Sequence, residues 1–223
     1  MTAEAQATIA VIGAGAMGRG IVQLFAQSGH RVKFYDNSEA AVAAAHAFVA
    51  DMLDSKVDKG RVSREEADKA KAQLVPCTQL VDIADCDIVV EAVLEDLEIK
   101  RGLFAELETV VSSSAVIASN TSSLLIADIA AGCKHPERIA GLHFFNPVPA
   151  MRVAEIISSV RTADYTVDKL KACVDKTGHR AVQVQDQPGF LINHAGRGLY
   201  TEGLRILEEQ AASPDQVDLR MRA

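Results

Sequence analysis

Cysteine is scarce in this chain, and its thiols form no pattern that would bind a metal or build a disulfide framework. The four cysteines among the 223 residues, Cys77, Cys86, Cys133 and Cys173, include no C-x-x-C pair. Scattered thiols of this kind are typical of reduced cysteines in a cytoplasmic protein. We therefore predict no metal site and a cytoplasmic location.

Long apolar runs and an excess of positive charge are also missing. No apolar segment reaches the ~20 residues that a membrane-spanning helix needs, and residues 1–4 do not begin a signal peptide. Acidic residues outnumber basic ones by 30 to 23, which gives a formal net charge of −7. This balance argues against a surface for nucleic acid or anionic membranes, so we predict neither as a partner.

The first 36 residues have the pattern of a complete dinucleotide-binding unit. An apolar run, Ile9–Ile12, enters a Gly-x-Gly-x-x-Gly turn, and a second apolar run ends at Asp36 after an amphipathic stretch. The glycine motif alone is a weak signal, but here it lies between a strand pattern and a helix pattern. In such a unit Gly13 allows the tight turn, Gly15 lets a pyrophosphate approach, and Gly18 permits close packing of the helix.

Asp36 indicates which dinucleotide the turn binds. A carboxylate at the end of the second strand accepts hydrogen bonds from the adenosine ribose and repels a 2′-phosphate. The following Asn37 and Ser38 supply no arginine to offset that repulsion, so we predict NAD as the cofactor. The predicted NAD-binding residues of this unit are Gly13, Gly15, Ala16, Met17, Gly18 and Asp36. The alternative is a tight turn that binds no ligand.

Further apolar runs alternate with helical patterns along the chain. They lie at residues 74–75, 87–91, 115–118, 139–142, 153–157 and 181–184. This alternation predicts an α/β fold of the Rossmann type, with a doubly wound, mostly parallel sheet. The late runs follow one another closely, so we expect part of the sheet to be antiparallel.

Residues 39–72 are too many for one ordinary crossover and predict two helices that protrude from the sheet. The break falls at residues 58–60, and Ser63 with Glu66 has the pattern of a capping box. The basic residues near the predicted tip are Lys56, Lys59 and Arg61. They form either a solvated basic surface or a contact for the phosphates of a large substrate.

A domain boundary is predicted at Asp186–Gly189, where proline and glycine end the preceding strand. We assign residues 1–187 to a nucleotide-binding domain and residues 188–223 to the start of an all-α C-terminal domain. One long helical pattern and a short one cannot bury their apolar face alone. We therefore expect the second domain to be incomplete, or to be completed by another subunit.

His143 is the main catalytic candidate, because it ends a predicted strand at the edge where an open α/β sheet binds ligands. Removal of hydride from a secondary alcohol needs a base for the hydroxyl proton, and histidine has an unperturbed pKa near ~6.5. Glu155 is a candidate partner that would orient the imidazole, although sequence spacing does not show that they meet. The alternative is a histidine packed beside two phenylalanines.

Ser122 and Asn193 are two further polar candidates. Ser122 would donate to the substrate oxygen as alkoxide and ketone interconvert. The same serine and threonine cluster is equally suited to cap a helix that begins near Leu124. Asn193 follows the predicted boundary, where an amide can bond a substrate carbonyl; the alternative is an asparagine on a helix surface.

Five motifs, spread over nearly the whole chain, occur in the order found in one known family. They are Gly-Ala-Gly-Ala-Met-Gly, Val-Val-Glu-Ala-Val-Leu-Glu, Ser-Asn-Thr-Ser-Ser, His-Phe-Phe-Asn-Pro-Val-Pro and Pro-Gly-Phe-Leu-Ile-Asn. Together they resemble the NAD-dependent L-3-hydroxyacyl-CoA dehydrogenase family, and the last three are far more specific than the glycine motif. The resemblance implies reversible oxidation of an (S)-3-hydroxyacyl-CoA to a 3-oxoacyl-CoA with NAD.

The resemblance also implies a role for each catalytic candidate. His143 would take the proton of the 3-hydroxyl group as general base, and Glu155 would pair with it. Ser122 and Asn193 would complete the catalytic set. Family members are commonly dimers, so a homodimer is expected when the C-terminal domain is complete.

Cofactor and substrate contacts follow from the same resemblance. Glu95 and Lys100 would lie near the nicotinamide, and Asn146, like Ser122, would contact the substrate. The helical pair would help to bind coenzyme A. Lys56 and Lys59 are candidate contacts for that acyl-CoA partner.

The chain departs from the family at its end and at His194, where many relatives have arginine. Relatives continue with further helices that form much of the dimer interface and one wall of the cleft. The segment 193–198, Asn-His-Ala-Gly-Arg-Gly, resembles the longer members that act on 3-hydroxybutyryl-CoA or 3-hydroxyadipyl-CoA. Two alternatives stay open: a similar dehydrogenase acting on a small hydroxy acid without coenzyme A, and an NAD-binding fragment made inactive by truncation.

Overall fold

The computed structural model describes residues 6–221, which contain an eight-stranded sheet covered by helices on both faces. The strands are β1 (Ile9–Ile12), β2 (Val32–Tyr35), β3 (Leu74–Pro76), β4 (Ile88–Glu91), β5 (Val116–Ser119), β6 (Ile139–Phe144), β7 (Val153–Ser158) and β8 (Arg180–Gln185). They lie in the order β3-β2-β1-β4-β5-β6-β7-β8. Neighbouring strands are parallel except β6 and β7, which are antiparallel. The predicted doubly wound, mostly parallel sheet is confirmed.

Eight α-helices connect or follow these strands in the described part of the chain. They are α1 (Ala16–Gln27), α2 (Glu39–Asp58), α3 (Arg64–Lys71), α4 (Leu97–Val110), α5 (Ile126–Ile129), α6 (Asp164–Lys176), α7 (Ile192–Glu208) and α8 (Pro214–Met221). Between residues 6 and 221, none of them combines the length and the apolar character needed to cross a bilayer.

The core forms two apolar layers, one on each face of the sheet. In β1 all four residues are buried, and successive side chains enter opposite layers because strand side chains alternate. Ile9 and Val11 pack in the layer that also contains residues of α1, α2, α3 and α6. Ala10 and Ile12 pack in the layer of α4 and α5. Burial on both faces explains why the central strands are apolar runs without polar alternation.

The predicted helical pair is present as α2 and α3. Ser38 caps α2 by accepting a hydrogen bond from the Ala41 amide, and Ser63 with Glu66 forms the predicted capping box on α3. Val49 on α2 is fully buried in the same layer as residues of α1 and α3. The pair is therefore held against α1, close to the glycine turn.

The chain leaves the sheet after β8 and enters α7, which buries none of its residues. Leu199, Tyr200 and Leu204 expose most of their side chains on this helix. The assignment of residues 188–223 to a separate helical domain stays a prediction.

Candidate active site

The glycine turn between β1 and α1 has the geometry of a cofactor-binding turn. Gly13 has φ of +99°, and a Cβ atom there would lie 2.5 Å from the carbonyl oxygen of Ala92. A Cβ on Gly18 would lie 1.8 Å from the Gly13 carbonyl oxygen, so α1 approaches the turn too closely for any side chain. A Cβ on Gly15 would meet nothing within 4 Å. Gly15 thus faces open space from which a pyrophosphate can reach the backbone.

The N-terminus of α1 is free to bind an anion. Its N-cap, Gly15, has no side chain to cap the helix, and the first turn from Ala16 contains no acidic residue. Helix N-termini present unpaired N–H groups and a positive dipole end to phosphate. The backbone at Ala16 and Met17 therefore fits the pyrophosphate of a dinucleotide.

Asp36 lies at the end of β2 beside this turn. Its Oδ2 accepts a hydrogen bond of 2.8 Å from the Ala14 amide, and its Oδ1 accepts one of 2.9 Å from the Ser38 amide. Each carboxylate oxygen keeps a second lone pair for a ribose hydroxyl. The carboxylate also lines a cavity of about 510 Å³ with Gly13, Gly15 and further residues, which suits the adenosine half of the cofactor.

His143 and Glu155 meet directly across the antiparallel pair of strands. They are register partners on β6 and β7, and His143 Nδ1 lies 2.7 Å from Glu155 Oε2. An ionised carboxylate only accepts hydrogen bonds, so Nδ1 carries the proton and Nε2 is left free to take another. This is the arrangement that a general base requires.

The second oxygen of Glu155 is bound by the start of α7. Glu155 Oε1 accepts hydrogen bonds from the amides of Leu191, at 2.9 Å, and Ile192, at 2.8 Å. Burial raises the pKa of Glu155, but the hydrogen bonds from His143 and from these amides outweigh it and hold the pKa below its usual value. The carboxylate is therefore ionised at neutral pH and can stabilise an imidazolium.

A second group of charges lies at the carboxyl ends of β4 and β5. Lys100 Nζ is 2.5 Å from Glu91 Oε1 and 3.3 Å from Glu95 Oε2, and the Lys100 and Glu91 side chains are 1% and 0% exposed. Glu91 Oε2 accepts a further hydrogen bond of 2.7 Å from the Ser119 hydroxyl. We call Glu91, Glu95 and Lys100 the carboxylate–lysine cluster.

Glu95 connects this cluster to the loop that carries Ser122. Its Oε1 accepts hydrogen bonds from the Thr121 hydroxyl at 2.6 Å, the Ser122 amide at 3.1 Å and the Ser123 hydroxyl at 3.1 Å. Burial raises the pKa of Glu95, but the Thr121 hydroxyl and the Lys100 ammonium lower it by more. Asn193 Nδ2 donates to the Ser122 carbonyl oxygen at 3.3 Å, which joins α7 to the same loop.

Three of the four predicted catalytic residues, together with Glu95 and Lys100 of the carboxylate–lysine cluster, line one cavity of about 470 Å³. Its walls include Met17, Glu95, Lys100, Ser122, His143, Asn146 and Asn193. The structure thus brings together every predicted catalytic side chain, with Glu155 directly behind His143. Glu91 is likewise buried behind Lys100 and does not line the cavity itself.

Of the two basic candidates on the helical pair, only Lys56 lines a neighbouring cavity of about 500 Å³. Lys56 and Asn146 line it, and Lys56 Nζ donates to Gln27 Oε1 at 3.0 Å. Burial and the positive charge of Arg61 lower the pKa of Lys56. Lys59 is exposed just after the end of α2 and is not on the cavity wall.

The alternative in which the serine and threonine cluster caps the following helix is not the one that the structure adopts. Asp186 caps α5 instead, accepting hydrogen bonds from the amides of Ile126 at 2.9 Å and Ala127 at 2.8 Å. Thr121 Oγ1 accepts from the Ser123 and Leu124 amides and stabilises the loop itself. A carboxylate brought by tertiary packing from the end of β8 replaces the local cap.

Several residues that support the site were not singled out in the sequence. Asn120 Oδ1 accepts a hydrogen bond of 2.9 Å from the Phe144 amide, which ties the serine loop to β6. The Arg19 guanidinium lies 4.0 Å from the centre of the Phe48 ring in the cavity of Lys56. Glu91 could have been predicted as a site residue from the sequence, because a charged residue that ends an apolar strand lies at the ligand-binding edge of the sheet.

The family profile described as "3-hydroxyacyl-CoA dehydrogenase, NAD binding domain" matches residues 8–187. The chain belongs to this family. It is 40% identical to the 3-hydroxyadipyl-CoA dehydrogenase of Escherichia coli (strain K12) over 96% of its length, but spans only 45% of that protein. It is 36% identical to a 3-hydroxybutyryl-CoA dehydrogenase of Bradyrhizobium diazoefficiens, of which it spans 73%.

Solved structures of 3-hydroxyacyl-CoA dehydrogenases have the same fold. A crystal structure of an Escherichia coli K12 3-hydroxybutyryl-CoA dehydrogenase superposes with a TM-score of 0.91 at 40% identity, over 95% of this chain and 45% of that one. The (S)-3-hydroxybutyryl-CoA dehydrogenase of Ralstonia eutropha gives 0.91 at 34% identity, over 95% and 75%. The predicted family and fold are confirmed, and with them an NAD-binding domain of the Rossmann type.

Proposed function

We propose that this chain catalyses the reversible oxidation of an (S)-3-hydroxyacyl-CoA to a 3-oxoacyl-CoA with NAD. The observation that carries the proposal is the 2.7 Å contact between His143 and Glu155, in a cavity that adjoins the glycine turn. The contact leaves Nε2 of His143 free for the substrate proton. Two relatives described above, a 3-hydroxyadipyl-CoA dehydrogenase and a 3-hydroxybutyryl-CoA dehydrogenase, support the acyl-CoA substrate by the names they carry.

His143 acts first as a proton acceptor and then as a stabilised cation. Its Nε2 takes the proton of the 3-hydroxyl group, and the Glu155 carboxylate stabilises the imidazolium that forms. NAD, when bound at the glycine turn, supplies the acceptor for the hydride that leaves the same carbon. In the reverse direction the imidazolium returns the proton to the carbonyl oxygen.

Ser122 and Asn193 orient the reacting group. The Ser122 hydroxyl donates to the substrate oxygen and stabilises its partial negative charge. Asn193 bonds the substrate carbonyl while its amide group is held near the Ser122 backbone. Glu95 fixes the Ser122 loop, and Glu95 and Lys100 face the nicotinamide.

The cavity of Lys56 is the proposed binding region for the coenzyme A moiety. Lys56, Arg19 and Arg61 supply positive charge there, and Phe48 with Val62 supplies apolar surface. Asn146 lines both this cavity and that of His143, so it contacts the substrate where acyl group and carrier join. Exposed Lys59 remains a candidate contact for outer phosphates. A small hydroxy acid would leave this cavity unused.

We infer three further properties of the working enzyme. Residues 1–187 form the NAD-binding domain, and residues 188–223 begin a helical domain. Homodimer formation covers the exposed apolar side chains of α7, as in the dimers implied by the family resemblance. The four buried cysteines, none of which forms a disulfide, fit a reducing cytoplasmic setting.

The experiment compares oxidation of NADH by acetoacetyl-CoA and by free acetoacetate, using the full 223-residue chain. We expect NADH consumption with the thioester only. Consumption with free acetoacetate at an equal rate would favour the dehydrogenase of small hydroxy acids. Binding of NADH without turnover of either substrate would favour the inactive NAD-binding fragment.

A further inference from the structure

The cavity of His143 carries more negative than positive charge. Glu91, Glu95 and Glu155 each contribute a carboxylate. Lys100 contributes the one positive charge of these ion pairs when His143 carries no added proton, which is the form in which it acts as a base. Three negative charges and one positive charge leave a net charge of −2. Lys100 therefore only partly neutralises the two carboxylates that it contacts.

Burial makes this excess charge effective inside the cavity. The Glu91 and Lys100 side chains are shielded from solvent, and Glu155 is 0% exposed. Charges in such surroundings interact through a low effective dielectric and are little screened by salt. A cationic group in the cavity is consequently stabilised more than a neutral group of the same shape.

The nicotinamide ring is the group whose charge changes in this cavity. Hydride transfer needs the reacting carbons within ~3–3.5 Å of each other, and His143 fixes the position of the substrate hydroxyl. Glu95 and Lys100 line the same cavity as His143. The oxidised ring carries one positive charge and the reduced ring carries none, so the two forms of the cofactor interact differently with the carboxylate–lysine cluster.

We propose that Glu91 sets the relative affinity of this enzyme for oxidised and reduced NAD through the net charge of the carboxylate–lysine cluster. Glu91 touches neither substrate nor cofactor; it acts through Lys100, whose charge it balances. The inference rests on the proposed dehydrogenase function for one point only, the position of the nicotinamide beside His143. The preference is therefore measurable by binding alone, without turnover.

The test is the ratio of the dissociation constants of NADH and NAD⁺, measured by fluorescence and calorimetry at neutral pH. Glu91→Gln removes one negative charge and keeps the side-chain shape. We expect the NADH-to-NAD⁺ ratio to fall at least tenfold, because one unit charge is worth about a factor of ten at about 12 Å and an effective dielectric near 20, and more at shorter distances. Glu98→Gln is the matched control, since Glu98 is 79% exposed on the same helix as Lys100 and should leave the ratio unchanged.

A double variant separates charge from structure. Glu91→Gln with Lys100→Met removes one charge of each sign, restores the wild-type net charge, and should return the ratio to the wild-type value. A disturbed structure would instead leave the double variant at least as impaired as the single one. If Glu91→Gln does not fold, as seen by circular dichroism, Glu95→Gln makes the same charge change and should lower the ratio in the same direction.

Equal weakening of both cofactor forms, or a double variant that does not recover, would overturn the proposal. Either result would leave the dehydrogenase function standing. Conversely, suppose that the ratio of the two dissociation constants falls as expected but that the protein oxidises no 3-hydroxyacyl-CoA. That result would contradict the proposed function and support the electrostatic inference.

Discussion

Replacement of Glu155 by glutamine is expected to disable the base by changing which nitrogen of His143 carries the proton. Glu155 accepts three hydrogen bonds, one from His143 Nδ1 and two from the amides of Leu191 and Ile192. Glutamine has one oxygen and one NH₂ group. If its oxygen stays with the two amides, its NH₂ group faces Nδ1, which must then accept. The imidazole proton moves to Nε2 and blocks the atom that takes the substrate proton.

The size of the effect follows from this geometry. The wrong tautomer removes general-base catalysis, which is worth ~10²–10⁴-fold in turnover, and the lost charge no longer stabilises the imidazolium. Cofactor contacts at the glycine turn are untouched, and the reduced nicotinamide carries no charge that would respond to the lost carboxylate, so NADH affinity should stay at the wild-type value. The assay is kcat at saturating NAD for oxidation of 3-hydroxybutyryl-CoA, followed by nicotinamide absorbance, with NADH binding measured on the same protein.

An exposed histidine–glutamate pair elsewhere in the chain provides the control. His135 Nδ1 lies 3.1 Å from Glu137 Oε1, and both side chains are largely exposed. Glu137→Gln makes the same chemical change outside the cavity and should leave kcat unaltered. If Glu155→Gln also keeps near-wild-type turnover while NADH binding is intact, the tautomer argument is refuted.

The same substitution predicts a pH dependence of stability. Because the pKa of folded Glu155 is lowered, its carboxylate stabilises the folded state above its unfolded pKa of about 4.3. This contribution is lost as the pH falls through the lower, folded pKa. The difference in free energy of unfolding between wild type and Glu155→Gln should be largest near neutral pH and shrink in acid.

Three further substitutions test other parts of the account. Asp36→Ala should raise the Kd of NAD by at least about tenfold, since a hydrogen bond to a charged group is worth ~1.5–3 kcal/mol. It should also relax the rejection of NADP, and an unchanged cofactor preference in titrations would refute the ribose contact. Lys56→Ala should raise KM for acetoacetyl-CoA more than Lys59→Ala does, because only Lys56 lines the second cavity; equal effects would contradict this placement. Asp186→Ala should cost ~1 kcal/mol of stability in denaturant unfolding through loss of the α5 cap, and no loss would show that the cap is dispensable.

Local patterns were sufficient where neighbouring residues determine the structure. The turn after β1 needs Gly13 at positive φ and Gly18 against the turn carbonyl, and both requirements are visible as a motif. The break between α2 and α3 was predictable for the same reason, because Ser63 and Glu66 satisfy each other's backbone groups within one turn.

Tertiary contacts account for what the sequence could not indicate. His143 and Glu155 face each other because β6 and β7 pair in one register, and the connection between these strands has no spacing rule that reveals it. The α5 cap comes from Asp186, some sixty positions away, while nearer serines looked equally suitable. Lys56 and Lys59 are three residues apart, yet only Lys56 turns toward α1 and the cavity.

The most direct test of the central claim is kcat of His143→Gln for 3-hydroxybutyryl-CoA oxidation, with NAD affinity measured in parallel and the exposed His135→Gln as control. The account predicts a fall of ~10²–10⁴-fold in turnover at unchanged NAD affinity, and no change for the control. Turnover near the wild-type value in a folded, NAD-binding His143→Gln protein would place the base elsewhere.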